Sequence, residues 1–371
     1  MSELGRDRLW ALSPLCSLVP LLSLLLACRG SAPSPATGAS VGSQCNPPVG
    51  SAESGAVRPA PSLPLQLVAD VPLPGRPVRF DYQDLDRAKE HLIIAHMNDA
   101  SVVVVNTSDG SLVKVLHGIP IARGIVVADD VGRIFVTSSP NKLVIIDNSA
   151  LAEIARVDTG QAPDGVGWDP VHHIVATSDQ GDGALSLIED SGTGKRKQIH
   201  LGRETGNVVF DASRAVFWIT VVGNSPPDQL VAVDPPTAKV TSSIPLPGCS
   251  GAHGLRIHPD NNSALIACEG NSKVARFDLA GTHAMSITSP GSDPDVLSID
   301  AALGWLYVAA ESGDLKVFDL RKPGLVAIDS EHPGDASHSV LADPATHRVF
   351  FPLVAGPKGT PVLRIMRPTG T

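Results

Sequence analysis

The chain has 371 residues, with Lys+Arg 29 against Asp+Glu 38 and a formal net charge of -9. Hydrophobic residues make up 43% and charged ones 18%, which is enough to bury a core over most of the length and excludes a largely disordered chain. The acidic balance argues against nucleic acid or an anionic membrane surface as partner, and aromatics at 4% leave little for base stacking.

Arg6 and Arg8 precede an apolar stretch from Leu9 to Ala27 that runs into Cys28. A basic start, an apolar middle and small residues before a cut describe an export signal over 1–28. Pro14 and Pro20 interrupt the stretch and weigh against a spanning helix. Leu25-Leu26-Ala27-Cys28 resembles the bacterial lipobox, which implies lipidation at Cys28 and a lipid anchor to the cell envelope. Arg29 stands where an inner-membrane retention signal would place Asp, so the expected location is the outer membrane facing the periplasm. Plain secretion is the alternative. Residues 29–62 are mostly Ser, Pro, Ala and Gly and read as a flexible tether. Of five Cys, Cys16, Cys28 and Cys45 fall in these segments; Cys249 and Cys268 either pair or remain small buried hydrophobes.

From residue 63 to 371 the sequence repeats at a period of roughly 41–47 residues, the range of propeller blades. Ala122-Arg123-Gly124-Ile125-Val126-Val127, Pro163-Asp164-Gly165-Val166, Thr205-Gly206-Asn207-Val208, Ala252-His253-Gly254-Leu255, Pro294-Asp295-Val296-Leu297 and Ser337-His338-Ser339-Val340 are successive copies. Val78-Arg79-Phe80-Asp81-Tyr82 is a more divergent first copy. Each copy continues with a second apolar run, such as Arg133–Thr137 or Trp305–Ala309, and a third that ends in Asp, such as Leu143–Asp147 or Leu315–Asp319. Short Val/Ile runs bounded by Gly, Pro and Asp are strand signals. Seven copies of four antiparallel strands predict an all-β, seven-bladed β-propeller. The last copy lacks a fourth strand, so Leu65–Val71 is predicted to complete it and close the ring.

Asp-x-x-x-Arg-Ile-Phe-Val, Gly-Trp-Leu-Tyr-Val-Ala-Ala-Glu-Ser-Gly-Asp-Leu-Lys-Val-Phe-Asp and Asp-Pro-Ala-Thr-His-Arg-Val-Phe-Phe-Pro-Leu resemble the bacterial YVTN-type (YncE-like) propeller repeats. The resemblance spans 63–371 and implies an exported propeller without fixing an activity. The Tyr-Val-Thr-Asn string itself does not occur; Phe-Val-Thr-Ser and Tyr-Val-Ala-Ala are the nearest.

In a propeller the innermost strands begin, and the second strands end, at one mouth of the central channel. The polar residues there are Asp81, beside Arg79, and Arg123, Asp164, Asn207, His253, Asp295 and His338, joined by His96, Asp179, Glu269, Asn271 and Glu311 from second-strand ends. Packing does not require a polar residue at that position in every copy. His96, His253, Glu269, Glu311 and His338 form the candidate ligand set for a divalent metal ion, since imidazole and carboxylate suit such a cation. Asp81, Arg123, Asp164, Asn207 and Asp295 are candidates for binding a small anionic ligand, with Arg123 as a clamp. The expected function is that of a binding or interaction module at the cell envelope, monomeric, engaging an envelope protein or a small anionic ligand. A metal-dependent lactonase or lyase is the alternative; a mouth that holds only ordered water is the bland one. His172, His173 and His347 fall in turns at the opposite mouth and read as surface residues.

Overall fold

Runs of β-branched and aliphatic residues bounded by Gly, Pro and Asp become strands that assemble into seven four-stranded antiparallel sheets. This computed structural model describes residues 62–371 except 191–194, 259–261, 284 and 292; the leader, Cys28 and the tether up to residue 61 lie outside the described residues. The sheets are the blades of a seven-bladed β-propeller, and among the described residues only short 3-10 turns, such as Glu269–Asn271, are helical.

The innermost strands, in blade order, are Gln83–Asp86, Ala122–Ala128, Pro163–Asp169, Glu204–Asp211, Ala252–His258, Pro294–Asp300 and Leu341–Ala342. Second and third strands are apolar on both faces because a neighbouring blade covers each face: Val102, Val103, Val104 and Val105 are all buried in one third strand. Ile93, Val104, Ala122, Ile134 and Val144 form one such core between the first two blades. Fourth strands lie outermost, so Leu112–His117 is mostly exposed. The Asp that ends a third strand organises the next turn: Asp147 Oδ1 accepts the N–H of Ser149 and of Ala150.

Ser62–Pro72 pairs antiparallel with Val362–Thr369, from Leu65 opposite Pro368 to Val71 opposite Leu363, and completes the seventh blade. Arg364 holds Asp70 through two hydrogen bonds of 2.8 and 2.7 Å across that pairing. Ser62 already pairs with Thr369, so the closing strand begins one residue earlier than the sequence boundary. Cys249 and Cys268 form a disulfide, Cα to Cα 5.3 Å, which resolves the open alternative. It joins the segment leading into His253 to the strand end that carries Glu269. His172 and His347 bond Asp169 and Asp300 in turns, in keeping with the surface reading.

Candidate functional site

Inner and second strands slip register at the same place in five blades, Thr205 facing Val221 before the slip in the fourth. Ala122 faces Ser138, then Ile125 faces Val136; Pro163 and Asp179, Ala252 and Cys268, and Pro294 and Ala310 precede the same slip. A slip of this kind re-aims the residue beside it. The next residues, Arg123, Asp164, His253 and Asp295, line one cavity of about 310 Å³ with Arg79, Asp81, Tyr82, Met97, Gln180, Glu269 and Glu311. Hydroxyls on second strands fix the backbone here. Thr137 Oγ1 accepts the Gly124 N–H (2.8 Å) and donates to the Asp164 carbonyl, while Thr220 Oγ1 donates to the His253 carbonyl (2.6 Å). Adjacent inner strands approach so closely that a Cβ on Gly254 would stand 2.1 Å from the Asp295 carbonyl oxygen, so only glycine fits.

The cavity is a funnel of interlocked charges. Arg79 Nη1 donates to both Glu311 carboxylate oxygens at 2.8 and 3.0 Å, and its Nη2 lies 3.6 Å from Asp295. Arg123 donates to Gln180 at 2.7 Å and stands 3.6 Å from Asp164. His253 Nε2 lies 3.2 Å from Asp164 Oδ2 and 3.8 Å from Glu269 Oε1. Burial disfavours the His253 imidazolium, but the carboxylates of Asp164, Glu269 and Asp295 outweigh it and raise its pKa to about 10. For Asp164 burial is outweighed by His253 and Arg123, and its carboxyl is held below the usual range. Burial and the repulsion of Asp295 and Asp164 push Glu269 up to about 8, against the pull of His253. Asp81 is driven well up by burial and then by Asp164 and Asp295. Carboxylates outnumber cations, and their mutual repulsion adds to burial in raising Glu269 and Asp81.

Two groups have ligand atoms within 4.8 Å of one another: His253, Glu269 and Asp295, and Asp295, Glu311 and His338. Asp295 belongs to both. His338 is 3% exposed, and its Nε2 has no hydrogen-bond partner, while its Nδ1 lies 3.9 Å from Glu311. Mixed imidazole and carboxylate sets of this composition fit a divalent cation.

Four of the five candidate metal ligands, His253, Glu269, Glu311 and His338, therefore fall in these groups. His96 is placed elsewhere. It is fully buried and stacks on Phe80 with ring centroids 4.0 Å apart, under the turn at Gly75, so it does not reach the cavity. Asp81, Arg123, Asp164 and Asp295 line the funnel as expected, and Asn207 does not. Thr205 faces Val221 as Ala252 faces Cys268, so Gly206 holds the ring position and Asn207 sits one residue deeper. There its Nδ2 donates to the Tyr82 hydroxyl, from the fourth blade to the first. Tyr82 lines the funnel, and the residues that follow the pair, Gln83 and Val208, line a second cavity. Sequence reading missed Tyr82 and Gln180; the signal for Gln180 was its place directly after the second strand Ile174–Asp179.

No family model matches the chain, and no curated protein matches it. Among solved structures it is similar to a chain of the Kuenenia stuttgartiensis hydrazine synthase, at 15% identity over 76% of this chain and 94% of that one, with a TM-score of 0.64. Virginiamycin B lyase from Staphylococcus aureus is similar at 12% identity over 81% of this chain and 99% of that one, TM-score 0.67. A chain of the mitotic checkpoint complex is similar at 12% identity over 94% of this chain and 99% of that one, TM-score 0.68. At these identities the likeness is one of fold.

Proposed function

We propose that the protein is a binding propeller of the YVTN type, exported and anchored at the cell envelope through lipid on Cys28, whose funnel takes a divalent cation together with a small anionic ligand. The observation that carries this reading is the convergence of two imidazoles and five carboxylates from five blades, with Asp295 shared between two ligand groups. A dication on Asp295 and Glu311 competes with Arg79 for the same oxygens and frees its guanidinium for a ligand's carboxylate or phosphate. The Cys249–Cys268 disulfide supports an oxidising compartment. Elemental analysis of the purified full chain tests the site: stoichiometric metal, lost in His253→Ala/His338→Ala, is the expected result. Metal-free protein that takes up no Zn2+, Mn2+ or Mg2+ on titration overturns it.

A second reading, a metal-dependent lyase or lactonase, is favoured by the Arg79 and Arg123 side chains beside the ligand groups. It requires turnover. Metal-loaded protein that processes no lactone or lyase substrate while still binding metal leaves the binding reading alone in place.

A further inference from the structure

Beyond the Tyr82–Asn207 pair, the same inner strands open into a cavity of about 560 Å³ at the opposite mouth. Its walls are mixed: Val126, Val127, Val209, Ile257, Ile299 and Leu341 form an aliphatic band, interrupted by the polar side chains of Gln83, Asp84, Arg87, Arg256 and Ser298. That volume is within the range of small-molecule sites, which combine apolar walls with a few placed polar groups. Arg256 is a charged group set among those walls, on an inner-strand position that holds Val126, Val209 and Leu341 in other blades. Packing explains none of its charge.

The Arg256 guanidinium is partly buried and makes one hydrogen bond, from Nη1 to the Leu255 carbonyl at 2.9 Å. Among the described residues no carboxylate lies within ion-pair distance of it. Asp84, the carboxylate among the cavity's lining residues, has turned to the backbone: Oδ2 accepts the Val127 N–H at 2.8 Å and Oδ1 the Leu85 N–H at 2.9 Å. Arg87, nearer the rim, is paired with Asp343 at 3.2 Å. The remaining N–H groups of Arg256 are thus available as donors to the cavity, in the planar fork that matches a carboxylate.

We propose that this second cavity binds an amphiphilic carboxylate, its head on Arg256 and its hydrocarbon body against the valine and isoleucine walls. The two cavities share no lining residue. A ligand with both features gains from both the guanidinium and apolar burial.

Calorimetric titration of the full chain with octanoate, octan-1-ol and acetate tests the proposal. Octanoate saturates one site, while octan-1-ol, without the charge, and acetate, without the body, bind roughly tenfold or more weakly. Arg256→Gln lowers octanoate affinity to that of octan-1-ol, with melting temperature as the check on folding. Equal binding of octanoate and octan-1-ol, equal binding of octanoate and acetate, or unchanged octanoate binding by folded Arg256→Gln would each overturn it. If Arg256→Gln does not fold, the three-ligand comparison on the native chain decides alone.

Discussion

The two mouths of the channel are built from the same inner strands a few residues apart, yet one is a dense lattice of charge and the other mixes aliphatic walls with Arg256, Arg87 and Asp84. In the funnel, each cation is already engaged: Arg79 by Glu311, Arg123 by Gln180, His253 by Asp164. In the far cavity Arg256 spends one donor on its own strand. The contrast teaches that a propeller channel is two sites, whose chemistry is set separately by residues at neighbouring register positions. The Tyr82–Asn207 contact lies between them: Tyr82 lines the funnel, and the residues after the pair, Gln83 and Val208, line the far cavity.

Removing that contact breaks the comparison most directly. Tyr82 is buried, so Tyr82→Ala is expected to cost about 4 kcal/mol in urea unfolding, as for other buried aromatic truncations, and to merge the two cavities. A stability loss under 1 kcal/mol would show that the contact carries little packing.

Asp164→Asn attacks the funnel alone. It leaves the His253 imidazolium buried without its nearest counter-charge, at an expected cost of about 3 kcal/mol at pH 6. The sign with pH follows from both partners. Asp164 titrates in the fold below its ordinary 3.8, so its contribution is present above that value and lost as pH falls through the folded one. His253 titrates at about 10 against an ordinary 6.5, so its contribution is complete below pH 6.5 and lost as pH rises through 10. Melting of chelator-treated protein therefore declines from pH 6.5 to 10, and Asp164→Asn flattens that decline; parallel curves would refute the pairing.

Tyr82→Phe sharpens the comparison more gently. It keeps the ring but takes the hydroxyl partner from buried Asn207, for an expected loss of about 1 kcal/mol. The outer rim supplies the baseline: Glu153→Ala removes an exposed partner of Arg156 and is expected to change stability by less than about 0.5 kcal/mol in the same denaturation assay.

The blades were legible in the sequence because strands covered on both faces demand continuous apolar runs, and Leu143–Asp147 or Trp305–Ala309 have no other use for them. The charged ring was legible for the converse reason: Asp164, His253 and Asp295 occupy a position where packing asks for nothing polar. Its details were less so. Gly206 has no side chain to announce its place, and Asn207 beside it drew the assignment one residue off register. His96 ends a second strand as Glu269 and Glu311 follow theirs, but the turn at Gly75 folds over it, and nothing local in the sequence records a contact made by a preceding segment. Spacing left the Cys249–Cys268 pairing open because it does not fix a Cα separation. Arg256 was not singled out, although a charge between the apolar Leu255 and Ile257 of an inner strand was its signal.

The pairing of Ser62–Pro72 with Val362–Thr369 has a consequence for how the chain is made. The first strand to leave the ribosome finds its partner only when the last has been synthesised, so until then the growing protein carries a bare edge on each terminal sheet. An unfinished chain cannot lock. Truncation before residue 362 should therefore leave an aggregation-prone, protease-sensitive fragment rather than a slightly weaker propeller, and the fold's final step is one that every partial product is denied.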